Sequence, residues 1–582
     1  MKRPSLFHFL FAMVPKRTST LTSTLTNQPT ILPPRPSVDD HEAWSTYWTT
    51  QRQPWRTEPE IDKERQKYLD ERRAIRPDIK QGIYPFKGIK LNRADIEWLL
   101  AIHESGGVCG PVDWTDESQR QREGLDLRGA DLREAALEHL PLTGLIGSLE
   151  WLAWMANKNT QRQLIIVEAS VNMEGANLFQ AHLENALLCG AHLARTNFTE
   201  ASLERAEFFQ AHLEGANFNK VHAPRVDFGF ASMEEANFRE SNMQGASFLS
   251  AFLKRADFSE AHLEKAGFNE AIMEMANFYK THLEGAEIGA EYEEDIIDGT
   301  HLEGASFYKA HLEGASLRKA YLGGKEVDSN DVERVRKWHM RYSEESWPQD
   351  MKKVPPAFLQ EAFLDAETNL EKIRFGDVAH GFAELADVRW GDVNLGVVDW
   401  KSVKVLGDEQ RAMQSIDLQG KKKDKATRID EYHVAVRANR QLSVALRNQG
   451  LNEDAARFSY HAQLMQRKVL WYEDKFLSYL FSLSLDLLAG YGYKPGRSFL
   501  AYLLVISGFA TAYYILGHTI GPVLSPLGAF VFSMTSFHGR GFFPGGITLD
   551  DPLTAIAAIE AFVGLLIEVT FIATLTQRFF GK

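Results

Sequence analysis

From Val171 to Gly289 a large apolar residue returns at every fifth position: Met173, Leu178, Leu183, Leu188, Leu193, Phe198 and onward to Ile288. Of these 24 centres, 23 are Leu, Phe, Met or Ile, and only Ala223 departs from the rule. Two residues before each centre the side chain is small: 18 of the 24 are Ala, the others Val, Thr or Ser. Phe itself recurs every ten residues from Phe198 to Phe278. A helix repeats at about 3.6 residues and a strand at about 2, so neither accommodates a sustained period of five. The pattern predicts a solenoid of stacked coils, in which each wide inward side chain packs beside a narrow one.

The unit reads small, polar, large, x, x, as in Ala211-His212-Leu213-Glu214-Gly215 and Ala216-Asn217-Phe218-Asn219-Lys220. Over about 120 unbroken residues it resembles the pentapeptide-repeat family. The resemblance implies a right-handed, quadrilateral β-helix with four pentapeptides per coil. On that geometry the block makes six coils, roughly 29 Å long at about 4.8 Å per layer. Leu127, Leu132 and Leu137 hold the same register upstream. Residues 143–165 interrupt it, and Trp151, Leu152, Trp154 and Met155 suggest a helical insertion there. After the acidic stretch Glu291–Asp298 the phase slips by one, and Leu302, Phe307, Leu312, Leu317 and Leu322 continue it. A weaker set runs from Thr368 to Leu406, with centres Leu370, Phe375, Leu385, Trp390, Leu395 and Trp400. Here Val378, Val388, Val393, Val398 and Val403 take the small position.

The carboxyl-terminal pattern is different. Residues 499–517 are 19 long without a charge, and residues 553–575 are apolar except for Glu560 and Glu568. Each is long enough for one membrane crossing. Lys494 and Arg497 precede the first, and Arg578 and Lys582 follow the second. The positive-inside tendency puts both flanks, and the large amino-terminal part, in the cytoplasm. Between the two lies Pro526–Thr535, apolar but too short to cross, followed by Thr535-Ser536-Phe537-His538-Gly539-Arg540-Gly541. Span, short re-entrant helix, glycine-containing loop and span: this order resembles the two-helix pore module of potassium-channel-like proteins. The resemblance implies a homotetramer around one pore, a filter at Thr535–Gly541 and a hinge at Gly564. Laid on the family filter T-V-G-Y-G-D, Thr535 and Gly539 match, whereas Phe537, His538 and Arg540 replace Gly, Tyr and the acid. Phe537 cannot reach the backbone angles open to glycine, and Arg540 opposes cations, so a pore is better supported than potassium selectivity. Glu560 and Glu568 are intramembrane carboxylates, for which a functional role is the default. Glu560, level with the loop, would hydrogen-bond the short helix or pair with Arg540. Glu568, two turns deeper, would face a water-filled cavity and attract cations. The simpler reading is that both fix the packing of subunits. With Gly564 they form the candidate pore-lining set. The letters Gly490-Tyr491-Gly492-Tyr493 are a decoy, the turn after an interfacial helix at Phe476–Leu488.

These readings divide the 582 residues as follows. An irregular region (1–84) precedes a helical cap (85–122) and a β-helix (123–322). A helical insertion (323–367), further coils (368–407), a linker with a helical hairpin (408–475), an interfacial helix (476–497) and the two-helix pore domain (498–582) follow. The net charge of −13 disfavours a basic nucleic-acid surface. Cys109 and Cys189 have no metal or redox spacing. His182, His222, His262 and His282 share one face of the coil, where a stacked pair would bind a metal or sense pH; the simpler reading is a solvated face, and no metal or cofactor is assigned. The Glu residues after many centres, among them Glu174, Glu204 and Glu274, make an acidic stripe with the same simple reading. No catalytic constellation is present, so no enzyme is expected. The functional expectation is a multi-pass bacterial inner-membrane channel subunit conducting K+ or another monovalent cation. Its cytoplasmic β-helix would be a sensor or scaffold, its contacts lipid, ions, three further copies and a protein on the coil. The alternative is a non-conducting, membrane-anchored scaffold for protein–protein interaction.

Overall fold

The computed structural model describes residues 34–78, 81–149, 169–289, 300–326, 353–417, 421–519, 523–539 and 551–580. The chain forms two compact units divided after Pro59. In the first, helix α1 (His41–Thr50) is capped by Asp40, which accepts the Ala43 N–H at 3.0 Å. Its Trp44 and Trp48 rings stack 5.5 Å apart, and the Arg56 guanidinium lies 3.5 Å from the Trp48 ring centre, a cation–π contact.

The second unit begins with α2 (Lys63–Arg73) and α3 (Arg93–Ala101). A reciprocal capping box between Asn92 and Asp95 starts α3, and Arg65 grips Asp95 through two hydrogen bonds of 2.8 and 2.9 Å. Residues before α3 lie on the first coil: Leu91 N–H donates to Asp131 O and Asp131 N–H to Ile89 O. The amino-terminal edge of the stack is thereby paired, as a solenoid end requires.

Parallel bridges then join residues 20 apart, four pentapeptides per coil, and line up in four columns. One column holds Asn177, Asn197, Asn217, Asn237, Asp257 and Asn277; another holds His182, Ser202, His222, Asn242, His262 and His282. The centres and the small residues before them are buried throughout. Phe218 and Phe238 rings stack at 4.8 Å, and Phe238 and Phe258 at 4.8 Å, while neighbouring columns meet edge-on. On the outside, Asn237 Nδ2 donates to Asn217 Oδ1 at 2.9 Å, a side-chain ladder parallel to the backbone one. The turn places the second residue after a centre at positive φ, as at Glu240 (53°), which explains glycine there at Gly215 (66°).

Three boundaries differ from the sequence expectation. Residues 143–149 belong to the first coil, with Ile146 bridging Leu187; the expected insertion from 150, including Trp151 and Trp154, lies outside the described residues. Residues 353–367, assigned to the helical insertion, are also coil: Phe358 bridges Ser306 and Phe363 bridges His311. Ala357-x-Leu359 and Ala362-x-Leu364 carry the small–large signature, but the step from Leu364 to Leu370 is six residues and breaks the phase. A two-residue antiparallel pair, Lys325–Glu326 with Lys353–Val354, closes the base of the insertion, whose residues 327–352 lie outside the described set. Val378, expected inward, is 75% exposed because Gly376–Asp377 and Gly381–Phe382 pair as a hairpin around it. The weaker set is a continuation of the same stack, since Glu384 bridges Phe358 and Arg389 bridges Phe363.

The carboxyl-terminal edge is closed by helices. These are α4 (Gly407–Met413), α5 (Lys425–Asn448) and α6 (Asn452–Tyr472), the last two forming the expected hairpin. Their side chains supply the acceptors a next coil would have supplied. Asp408 accepts Leu385 N–H (2.7 Å) and Ala386 N–H (3.2 Å); Gln410 accepts Phe382 N–H (3.0 Å). Gln441 accepts Asp387 N–H (2.9 Å), and Gln449 accepts Leu395 N–H (2.8 Å). Lys423, in the basic linker, is buried and bonded to Glu431 at 2.6 Å. Four further helices follow: α7 (Phe476–Ala489), α8 (Pro495–Gly517), α9 (Pro526–Phe537) and α10 (Pro552–Phe580).

Two outcomes test this account. Phe238→Ala removes a ring stacked on both sides and is expected to destabilise the coil by about 3–5 kcal/mol, read as a lower unfolding midpoint in detergent. Phe252→Ser, at a site 41% exposed, is expected to stay within about 0.5 kcal/mol. Burial, then the Glu384 carboxylate, pushes Asp408 up to about 7 from 3.8. Folding therefore favours its protonated form, so the stabilisation is complete below about pH 4 and is lost as pH rises through 7. Hydrogen exchange at Leu385 and Ala386, corrected for the intrinsic pH effect, should accelerate between pH 5 and 8, and Asp408→Asn should flatten that rise.

Candidate functional site

The hairpin and the terminal helices are joined through one carboxylate. Asp486, a polar break in the apolar α7, accepts Arg467 Nη1 at 2.7 Å, Tyr460 OH at 2.9 Å and Arg497 Nη1 at 2.8 Å. Burial opposes ionisation of Asp486, but the hydrogen bonds from Arg467 and Tyr460 and the Arg467 and Arg497 charges outweigh it and hold its pKa below the ordinary value. Lys494 Nζ sits 4.0 Å over the Tyr460 ring. Three segments (α6, α7 and the start of α8) thus meet at one anion. The rest of α7 exposes Phe476, Leu477, Phe481 and Leu487, the apolar face expected of an interfacial helix. Gly490-Tyr491-Gly492 is the turn after it, with Gly490 and Tyr491 at positive φ.

Helices α8 and α10 contain segments of 22 and 23 residues long and apolar enough to cross a membrane. Only 17% and 22% of those segments are buried, unlike the core helix of a soluble domain. Short helix α9 packs against both. Tyr513, Phe532, Leu553 and Ala557 form one apolar cluster among the three; Ile506, Phe537 and Ile567 form another.

Glu560 is completely buried at the centre of this packing. Tyr513 OH donates to its Oε2 at 2.7 Å, and the Ser533 hydroxyl reaches both its Oε1 and Ile506 O. One carboxylate therefore ties α8, α9 and α10 together, and its bond to Ser533 is the contact with the short helix that the sequence suggested. Gly564 has a packing role as well. A Cβ there would lie 2.1 Å from Phe537 O, so the carboxyl end of α9 rests directly on the α10 backbone. Glu568 Oε1 lies 3.3 Å from His538 Nε2, which is also 3.1 Å from Tyr502 OH.

Three of the residues expected in the loop Thr535–Gly541 are helical. Thr535, Ser536 and Phe537 form the last turn of α9, and Thr535 Oγ1 bonds back to Val531 O and Phe532 O at 3.0 Å each. They do not form an extended row of carbonyls, because the helix continues until Phe537 is buried under Ile506 and Ile567. Non-helical backbone begins at His538 and Gly539, the latter at φ +65°. Arg540 and Gly541 lie outside the described residues. Sequence reasoning missed Tyr513, Ser533 and Tyr502, which lie 47, 27 and 36 residues from their partners. A hydroxyl inside each apolar run was the only local signal.

Two variants separate these roles. Glu560→Ala takes the acceptor from the buried Tyr513 hydroxyl, while Ser533 keeps Ile506 O, and is expected to destabilise the helical unit by about 1–3 kcal/mol, whereas Glu560→Gln keeps an acceptor and should do less. Thermal unfolding in detergent reads both; equal midpoints for Glu560→Ala and the parent chain would refute the tie. Gly564→Ala is expected to displace α9 and increase proteolysis after Phe537.

The sequence profile of the family described as "Pentapeptide repeats" matches eight copies over residues 176–215, 225–260, 253–285 and 296–324. No curated protein matches the chain. Among solved structures, HetL is a pentapeptide repeat protein involved in heterocyst differentiation regulation, from the cyanobacterium Nostoc sp. strain PCC 7120. It is 20% identical, covering 46% of this chain and 90% of its own, with a TM-score of 0.27. A pentapeptide repeat protein from the Arabidopsis thaliana thylakoid lumen is 27% identical, covering 21% and 73%, with a TM-score of 0.14. QnrB1, a plasmid-mediated fluoroquinolone resistance protein, is 16% identical, covering 38% and 82%, with a TM-score of 0.17. Segments 176–215, 225–285 and 296–324 match the pentapeptide-repeat profile, and this chain carries them together with two helices apolar enough to cross a membrane.

Proposed function

We propose that the chain is a channel-like membrane subunit with a pentapeptide-repeat sensor or scaffold on its cytoplasmic side. The observation that carries the reading is the short helix α9 held between two span-length helices by Ser533 and the buried Glu560. A helix too short to cross, seated at membrane depth, is tolerated where protein buries it or it borders water. Its carboxyl end bears partial negative charge, and Glu568 lies beside it through His538. Together they favour a cation at that point. With α9 ending at Phe537, a carbonyl-lined stretch would start no earlier than His538-Gly539. One such chain cannot enclose a conduit. Apolar residues left exposed on all three helices, such as Leu504, Phe530 and Phe562, suit lipid or neighbouring copies, and four copies around one pore is the proposed assembly. Movement of the coil would reach the pore through the hairpin and the Asp486 junction.

A second reading is a membrane-anchored scaffold without conduction. The burial of Glu560 and Phe537 as packing groups favours it. Mass in detergent and cation flux from liposomes decide between them. The channel reading expects a four-subunit mass, flux of K+ or another monovalent cation, and a severalfold loss of flux in Glu568→Gln at unchanged mass. A verified tetramer that passes no ion favours the scaffold.

A further inference from the structure

One column of the coil carries chemistry that the membrane reading does not use. His262, His282 and His311 are successive rungs, joined by parallel bridges. Their rings stack face to face, at 4.7 Å and 3° for the first pair and 4.9 Å and 7° for the second. Phe363 continues the stack at 4.4 Å from His311, and the Arg389 guanidinium closes it 4.5 Å from the Phe363 ring centre.

Each imidazole meets the carboxylate two residues on. The Nδ1–Oε1 distances are 3.2 Å for His262–Glu264, 3.0 Å for His282–Glu284 and 3.2 Å for His311–Glu313. That contact sets one imidazole nitrogen and one carboxylate oxygen side by side on each rung, and both are metal-ligand types. The second oxygen of Glu264, Glu284 and Glu313 is shielded from solvent and has no hydrogen-bond partner. The upper rung of the same column differs. At His182 the spare Glu184 oxygen accepts the Thr143 hydroxyl at 2.8 Å, and Ser202 and Asn242 interrupt the imidazoles. Adjacent rings and unfilled carboxylate oxygens therefore coincide only on the lower three rungs of this column.

We propose that this column binds divalent transition-metal ions of the class that prefers imidazole: zinc, nickel or copper. One site uses His262, Glu264 and His282; Glu284, His311 and Glu313, with one imidazole and two carboxylates, form a second. In each group the donor atoms lie within 4.8 Å of one another. Tetrahedral zinc with bonds of about 2.0–2.1 Å holds its donors about 3.4 Å apart. The His262 and His282 side chains are 48% and 37% exposed, so rotation of the rings closes the remaining distance without moving the coil. Three protein donors leave a fourth position for water, and imidazole donors exclude magnesium and calcium as the natural occupants. A bound ion bridges two coils and supplies the positive charge that the spare oxygens lack.

The test is zinc titration of the tag-free, chelator-stripped full chain in detergent, against a competing chelator. The intact chain is expected to take up at least one tightly held zinc, and magnesium in excess should not displace it. The pair His262→Asn with His282→Asn should lower the uptake by the zinc of the first site, and adding His311→Asn should abolish it, while the far-ultraviolet circular dichroism stays unchanged. Glu264→Gln, which removes a charged ligand, should lower the chelator concentration needed to strip the zinc. The pair His192→Asn with His212→Asn removes another stacked pair, 5.1 Å apart on a different column, and should leave uptake intact. Zinc uptake equal in the intact chain and the His262/His282 pair overturns the proposal. So does an equal loss in the His192/His212 pair.

Discussion

A stack of coils ends in unpaired backbone groups above and below, and closing those two edges shapes the rest of this chain. Inside the stack the rungs are hydrogen-bonded to those of the next coil, 20 residues away except where an insertion lengthens the coil, so the interior is self-satisfying. At the amino-terminal end the segment Gly88–Leu91 acts as one more partial rung, and α3 sits beyond it. At the carboxyl-terminal end no further coil follows. There the acceptors are side chains from α4 and α5: Asp408, Gln410, Gln441 and Gln449. A buried N–H without a partner costs about 1–3 kcal/mol, so several together dictate where the hairpin docks.

That docking gives the β-helix a mechanical connection to the helices beyond it. His461 on α6 pairs with Glu409 on α4 at 2.9 Å, and Phe458 packs edge-on against Trp400 of the last coil. From the same α6, Tyr460 and Arg467 reach Asp486. A carboxylate that loses three donors at once in a half-buried position is costly to free. The hairpin therefore moves with both neighbours or with neither. In the terminal helices the same logic recurs with Glu560, whose two hydroxyl partners come from two different helices.

The coil was legible because its period is incompatible with any single helix or strand, and each unit repeats the same small–large pairing. Where the phase slipped, legibility failed. Ala357-x-Leu359 and Ala362-x-Leu364 went unread because the spacing to Leu370 broke the count, not because the packing differs. The hairpin and the interfacial α7 were legible from helical spacing and from length. The filter was not. A short apolar run shows that a helix exists, but its last turn depends on what Phe537 packs against.

The amino-acid sequence by itself determined the coil register, the hairpin, and two membrane-length helices with a short one between, since these follow from local periodicity and length. The tertiary structure alone decided that Glu560 is a tie among three helices, that Gly564 is a contact surface, and that Asp486 joins hairpin to span. It alone decided, too, which of the stacked histidines keep an unfilled carboxylate oxygen beside them. Each of these depends on groups distant along the chain meeting at a few ångströms, and a contact between remote positions leaves no periodic trace in the order of residues.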